Sequence, residues 1–175
     1  MSDEQIEEIN ETHPFNLLID MVEDDEFTMM RIKEQFDRNG LKNRREFNNA
    51  LEYQAAVLQD PTVKPNICIF DYLYDDKIMT GLDLTIMTMK DNEACKVIMI
   101  TGYREFNTLN SFYYAGGYRW VDKDVANFQN VLTDVVQAAI VFIKKELWKQ
   151  YRLEQIEVPQ LRKDRKPLSA NEKLE

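Results

Sequence analysis

The segment Ile67-Cys68-Ile69-Phe70-Asp71 decides the fold, because four apolar residues run directly into an acid. Short apolar runs bounded by polar turns are typical of parallel strands that are buried on both faces. Residues 17–22 and 97–100 have the same form, and a polar turn and a helical pattern follow each of them. The chain therefore predicts strands that alternate with helices.

The intervals between these runs have helical periodicity. Met29, Ile32 and Phe36 fall on one face of a first helix, and Asn39-Gly40 is a typical end signal. The other predicted helices lie at residues 50–59, within 82–89 and within 105–115, and weaker strands lie at 43–47 and 118–122. Counting a fifth helix after residue 123, we predict an α/β fold, a (βα)5 doubly wound, flavodoxin-like five-stranded parallel sheet.

The fifth helix is the unusual element. Its apolar stripe runs from Phe128 to Leu147, and no breaker appears before Pro159. A helix of about 30 residues is far longer than the average of about 11–12. We therefore expect a flexible acidic tail at residues 1–13, a folded domain at 14–142, an extension of the last helix at 143–158, and a linker or tail at 159–175.

The composition excludes several classes of protein. With 22 basic and 31 acidic residues among 175, the net charge of −9 argues against direct, non-specific nucleic-acid binding, which needs a basic surface. No apolar run approaches the roughly 20 residues that span a bilayer. Cys68 and Cys95 both lie in apolar segments, so we predict buried, reduced thiols in a cytoplasmic protein.

Polar residues stand where the predicted strands end. An acidic run, residues 23–26, follows the first strand and Asp71 ends the third, while Thr101-Gly102 ends the fourth and Lys123 follows the fifth. Taken singly, each has an ordinary explanation as a solvated loop, a turn residue or a strand end. Ligands of doubly wound sheets bind at the carboxyl ends of the strands, so the joint placement favours a functional site.

This set of groups fits one kind of chemistry. Crowded carboxylates remain ionised cheaply only when a cation lies among them, and oxygen ligands select Mg²⁺. A lysine and a hydroxyl at the same point would bind phosphoryl oxygens, and one carboxylate could be the nucleophile that forms an acyl phosphate. The sequence therefore predicts a site for a phosphoryl group.

The same residues carry a family resemblance. From about residue 14 to residue 142, the sequence resembles the receiver domain of two-component response regulators (the CheY-like superfamily). The matching motifs are Val22-Glu23-Asp24-Asp25-Glu26, Ile67-Cys68-Ile69-Phe70-Asp71, Ile98-Met99-Ile100-Thr101-Gly102 and Ala115-Gly116-Gly117-Tyr118-Arg119-Trp120-Val121-Asp122-Lys123. Each motif is weak alone, but all occur in order and in register.

The resemblance implies the roles of the phosphoryl-binding residues. Asp71 would accept a phosphoryl group from the phosphohistidine of a sensor histidine kinase or a histidine phosphotransfer protein. Thr101 and Lys123 would bind the phosphoryl oxygens. Trp120 would move inward with Thr101 and remodel the face formed by helix four, strand five and helix five.

The resemblance also implies a Mg²⁺ site and a set of partners. Asp24, Asp71 and the backbone carbonyl of Leu73 would ligate the ion, and Glu23 would hold a metal-bound water. The chain would be a phosphoacceptor and not an enzyme acting on outside substrates. It would act on an unidentified downstream protein, with a possible homodimer through helix five and its extension.

Four positions depart from the family pattern. Asp75 stands where proline is usual, and the expected glycine falls at Gly81, which implies about two extra residues in this loop. Asp124 replaces a proline and could cap helix five. Asp20 occupies an apolar position of the first strand, which predicts an unseen partner or an extension of the site.

Two alternative functions remain open. A pseudo-receiver would act through its surface without being phosphorylated, and the altered loop after Asp71 is compatible with that function. A Mg²⁺-dependent phosphatase of the haloacid-dehalogenase type would need a second acid two residues after its nucleophile, where this chain has Leu73.

Overall fold

A computed structural model describes residues 16–75 and 77–153 of the chain. The predicted acidic tail (1–13), the last residues of the predicted helix extension (154–158), the predicted linker (159–175) and Asp76 lie outside the described residues. The described chain divides into two compact units at Ile140. Residues 16–140 form one unit and contain the whole sheet, and residues 141–153 belong to the other.

The described residues form five strands and five helices that alternate along the chain. The strands are β1 (Ile19–Val22), β2 (Arg44–Phe47), β3 (Ile67–Asp71), β4 (Lys96–Thr101) and β5 (Arg119–Asp122). The helices are α1 (Glu26–Arg38), α2 (Ala50–Gln59), α3 (Gly81–Asp91), α4 (Phe106–Tyr114) and α5 (Phe128–Arg152). All strand pairs are parallel, and the order is β2-β1-β3-β4-β5. This is the flavodoxin-like strand order, so the predicted fold class is confirmed.

The core lies where the sequence has its apolar runs. Residues 67–70 and 97–100 are at most 1% exposed, as expected for central strands that are covered on both faces. Cys68 and Cys95 are buried free thiols, and their Sγ atoms lie 3.6 Å apart. The prediction that both cysteines are buried thiols is therefore confirmed.

Short polar side chains start three of the helices. Asp25 accepts a hydrogen bond from the Thr28 amide (3.0 Å), and Asn49 caps α2 in the same way. Thr80 and Asp83 form a reciprocal capping box at the start of α3. One acid of the run at residues 23–26 thus caps a helix.

The last helix is long, as predicted. Phe128–Arg152 has 25 residues, and its second half lies in the unit that begins at Val141. There Lys149 pairs with Glu146 at 2.6 Å, and the guanidinium of Arg152 lies 5.0 Å from the ring centre of Trp148. The suggestion that Asp124 caps this helix is wrong, because Asp124 lies well before Phe128 and Asn127 directly precedes the helix with a φ of 59°. None of the described helices is long and apolar enough to cross a membrane.

Candidate phosphoryl and metal site

Three carboxylates meet at the carboxyl edge of the sheet. Glu23 and Asp24 directly follow β1, and Asp71 is the last residue of β3, which pairs with β1. Glu23 is 2% exposed and Asp71 is 8% exposed. One carboxylate oxygen from each of the three residues lies within 4.8 Å of the others. The structure therefore brings together the three acids that the sequence predicted as a cluster.

Lys123 joins two of these acids. Its Nζ lies 2.7 Å from Oε2 of Glu23 and 2.7 Å from Oδ2 of Asp71. Its backbone amide donates to the carbonyl oxygen of Thr101 at 3.1 Å, so the end of β5 is held beside the end of β4. The predicted ammonium group is therefore in contact with the predicted nucleophile.

The charges in this pocket do not balance. Burial raises the pKa of Glu23 to about 7, the charge of Asp71 adds to the effect, and Lys123 opposes it. Burial also raises the pKa of Asp71. The ion pair with Lys123 lowers this pKa, but its effect is smaller than that of burial. For Lys123, burial acts to lower the pKa, but the two carboxylates outweigh burial and raise it. One ammonium thus faces three acids, and a further cation would relieve the excess negative charge.

The donor set fits a Mg²⁺ ion. All three side chains offer oxygen, which is the ligand type that Mg²⁺ prefers. Oε2 of Glu23 is buried and lies 2.7 Å from the Lys123 ammonium, and no other described residue forms a hydrogen bond to it. An additional cation or its bound water would satisfy this oxygen. Leu73 lies in the loop after β3, where it forms an isolated bridge with Thr80, and its role as a carbonyl ligand stays a prediction.

The loop that departs from the family pattern contacts the acid cluster. The backbone amide of Asp75 donates to Oδ2 of Asp24 at 2.6 Å. A proline at this position has no N–H and could not make this bond. The same loop contains Lys77 in the left-handed region (φ 53°), in a turn that closes from the Lys77 amide to the Tyr74 carbonyl at 3.1 Å. The replacement of proline by Asp75 therefore supplies a hydrogen bond to a predicted metal ligand.

The predicted switch residues lie on the neighbouring strands. Thr101 is 2% exposed, and its Oγ1 accepts a hydrogen bond from the Tyr103 amide at 2.9 Å. Trp120 of β5 is half-buried and packs against the main apolar core. It is paired in register with Met99, two residues before Thr101 on β4. Trp120 is thus in place to respond to a change in β4, while its movement stays a prediction.

Solved structures with the same fold come from known regulators. A CheY-like receiver domain protein from Methanospirillum hungatei JF-1 matches with a TM-score of 0.62 and 24% identity, over 74% of this chain and 98% of that one. NtrX from Brucella abortus matches with a TM-score of 0.63 and 21% identity, over 76% of this chain and 29% of that one. The response regulator DrrB of Thermotoga maritima matches with a TM-score of 0.55 and 18% identity, over 66% of this chain and 48% of that one.

The chain has the fold of response-regulator receiver domains. It spans about half the length of DrrB and under a third of NtrX. No protein-family model and no curated protein sequence matches the chain.

Sequence reasoning missed a pair of aromatic residues beside Asp71, the predicted phosphoacceptor. The rings of Tyr72 and Tyr103 stack with their centres 5.4 Å apart and their planes 17° apart. The amide of Tyr72 donates to Oδ1 of Asp71 at 2.6 Å. The stack therefore connects the loop that follows Asp71 to the loop that follows Thr101. Both tyrosines follow a predicted site residue closely, but nothing in the sequence indicates that their rings meet.

Sequence reasoning also missed an ion pair between the loops of the receiver fold. Nη2 of Arg104 lies 2.6 Å from Oδ2 of Asp122, the last residue of β5, and 3.6 Å from Oδ2 of Asp124. This pair ties the loop after Thr101 to the strand end that precedes Lys123. The sequence contains no spacing that would reveal it, because the partners lie on different βα units.

Proposed function

We propose that this chain is a response-regulator receiver of a two-component phosphorelay. In this proposal Asp71 accepts a phosphoryl group from the phosphohistidine of a sensor histidine kinase or a histidine phosphotransfer protein, in a Mg²⁺-dependent reaction in the cytoplasm. The observation that carries the proposal is the position of Asp71, which lies 2.7 Å from Lys123 and within the cluster that it forms with Glu23 and Asp24.

The residues present can perform each part of the transfer. A carboxylate oxygen of Asp71 attacks the phosphorus, the P–N bond to the donor imidazole breaks, and the imidazole leaves with the bonding electron pair. Lys123 neutralises charge on the phosphoryl oxygens, and its contact with Asp71 already brings it to that position. Mg²⁺ held by Asp24, Asp71 and the Leu73 carbonyl, with Glu23 through a water, would supply further neutralisation.

The hydroxyl of Thr101 supports a switch. Its oxygen now accepts from the Tyr103 amide, and its proton is available to donate to a phosphoryl oxygen. A shift of Thr101 towards that oxygen would disturb the Tyr72–Tyr103 stack and the packing of Trp120. Such a local event would alter the face formed by α4, β5 and α5, where an unidentified downstream protein would bind. A homodimer through α5 and its extension stays a prediction.

Labelling with a small phosphodonor tests the proposal. We expect acetyl phosphate and Mg²⁺ to add one labile phosphate to the protein, measured by intact mass and by phosphate release. Asp71→Asn should abolish the label, because an amide oxygen is a poor nucleophile. Asp75→Asn is the matched control, since it changes an exposed acid in the same loop and retains the backbone amide that binds Asp24. Labelling that survives in Asp71→Asn would refute the assignment.

The pseudo-receiver hypothesis is favoured by one observation, the altered loop with Asp75 bound to Asp24. Under that hypothesis no labelling occurs and Mg²⁺ leaves the fluorescence of Trp120 unchanged. The measurement needs a Trp148→Phe background, because the chain contains two tryptophans.

A further inference from the structure

A second polar cavity lies away from the acid cluster. It has a volume of about 370 Å³ and lies between α1 and the first turn of α5. This volume is at the lower end of the range of about 300–1,000 Å³ for small-molecule sites. Residues that line it include Arg31, Glu34, Arg38, Asn127, Gln129 and Asn130. None of these residues belongs to the proposed phosphoryl site.

The lining of this cavity is positive, although the chain as a whole is acidic. Arg31 and Arg38 contribute two guanidinium groups, and Glu34 contributes the one carboxylate among the described lining residues. Glu34 lies 3.7 Å from Arg38, and both side chains are more than half exposed, so this pair is weak. The cavity lining therefore has a net positive charge, although the net charge of the whole chain is −9.

Arg31 lies against two aromatic rings. Its guanidinium carbon lies 5.5 Å from the ring centre of Phe27 and 5.8 Å from the ring centre of Phe128. Cation–π contacts of this kind use the charge of the guanidinium and require none of its N–H groups to bond an oxygen, so these donors can serve an acceptor. Within the described part of the chain, Arg31 has no carboxylate partner. The geometry therefore offers a planar fork of donors that suits a carboxylate or a phosphate.

Gln129 gives an independent indication of a ligand. Its side chain lines the cavity and is only 7% exposed, and its Nε2 is buried without a hydrogen-bond partner among the described residues. A buried donor without an acceptor costs roughly 1–3 kcal/mol. An oxyanion in the cavity would supply the acceptor, after a rotation of the amide towards it.

We propose that this cavity binds a small oxyanion ligand, a carboxylate or a phosphate, with Arg31 as the principal anchor and Gln129 as a second donor. The amides of Asn127 and Asn130 line the same cavity and supply further hydrogen-bonding groups. The site is separate from Asp71 and does not depend on phosphoryl transfer. It would let the concentration of a small anion act on α1 and α5.

The test is a titration of the full chain by NMR, in buffer stripped of metal and at constant ionic strength. Citrate is the carboxylate probe and inorganic phosphate is the phosphate probe, each up to about 20 mM, where millimolar affinities saturate. We expect saturable shifts of the side-chain NH2 of Gln129 with at least one probe. Whichever probe saturates identifies the anion class.

Variants decide whether the binding is specific. Arg31→Gln, at an exposed position, should weaken the binding at least about tenfold, as expected for the loss of a charged fork. Arg119→Gln removes the same charge from an exposed position of β5 and should leave the affinity unchanged. Asp71→Asn should also bind normally, which separates this site from the proposed phosphoryl site. Shifts that stay linear with both probes, or an equal loss in Arg119→Gln, would overturn the proposal.

Discussion

The buried carboxylate of Asp20 has its explanation in a single neighbour. Asp20 is 0% exposed, and both of its oxygens accept from the guanidinium of Arg45, at 2.8 Å and 2.6 Å. The two residues face each other in register on β1 and β2. Arg45 also lies 5.6 Å from the ring centre of Phe47. Asp20 is therefore half of a structural ion pair, and the predicted unseen partner is Arg45.

Removing one member of this ion pair should destabilise the folded protein. We expect Arg45→Gln to lower the free energy of unfolding by about 3 kcal/mol, because it leaves Asp20 buried without its counter-ion. Urea denaturation of the purified protein measures the effect. Arg38→Gln, at an exposed position, is the control and should change stability by less than about 1 kcal/mol.

The double variant separates charge burial from packing. Asp20→Leu combined with Arg45→Met should recover most of the loss, since an apolar pair of similar size can replace a buried ion pair. An equally low stability in the double variant would mean that the two side chains act through packing and not through their charges.

At the scale of elements, the close packing of α3 against β3 places the loop that carries the site. Gly81 is the first residue of α3, and its amide donates to the carbonyl of Tyr72 at 2.9 Å. A Cβ at Gly81 would lie 2.2 Å from the carbonyl oxygen of Asp71. The helix therefore starts against the backbone of Asp71, the predicted phosphoacceptor, and only glycine fits there.

Gly81→Ala should consequently damage both stability and the site. We expect a loss of at least about 2 kcal/mol in unfolding free energy, because the clash is with backbone that cannot rotate away. Labelling of Asp71 by acetyl phosphate should fall in the same variant, since the backbone of Asp71 must shift.

Gly102→Ala is the matched control for this element. Its Cβ would meet the Asp124 side chain at 3.1 Å, and a side chain can move aside. If both glycine variants were equally stable, the proposed contact between α3 and β3 would be refuted.

At the scale of the whole molecule, we expect the acid cluster to make the free energy of unfolding depend on pH and on Mg²⁺. The pKa of Glu23 is about 7 in the folded protein and near 4.5 in an unfolded chain, so the folded state binds more protons between these values. Unfolding free energy should therefore fall as pH rises from about 4.5 to about 7, by at most about 3 kcal/mol. Carboxyls with a lowered pKa, such as Glu46, titrate below this window.

Denaturation in metal-free buffer across this pH range measures the effect. Glu23→Gln should make the dependence shallower without abolishing it, because burial also raises the pKa of Asp71 and of Asp20. Adding Mg²⁺ above pH 7 should raise the midpoint of the wild type, since a ligand that binds only the folded state stabilises it. No gain with Mg²⁺, or an unchanged slope in Glu23→Gln, would contradict the electrostatic account of the cluster.

Much of this architecture was predictable from the sequence, because it depends on local patterns. The apolar runs correctly predicted the central strands, and Asn39-Gly40 correctly predicted the end of α1. The acids and Lys123 were predicted to meet because they follow strands, and the carboxyl ends of parallel strands share one edge. The structure confirms that Glu23, Asp24, Asp71 and Lys123 meet there.

Local pattern and residue type by themselves therefore determined the order of elements, the sheet edge that carries the acid cluster and the oxygen donors that this cluster offers. The tertiary structure alone decided which residues far apart in the chain touch. Examples are the ion pair of Arg45 with Asp20 and the hydrogen bond from the Asp75 amide to Asp24. A third is the contact of Arg31 with the rings of Phe27 and Phe128. The physical reason is that such contacts depend on strand register, loop path and helix packing. These are set by the free energy of the whole folded chain and leave no mark in the spacing of residues along it.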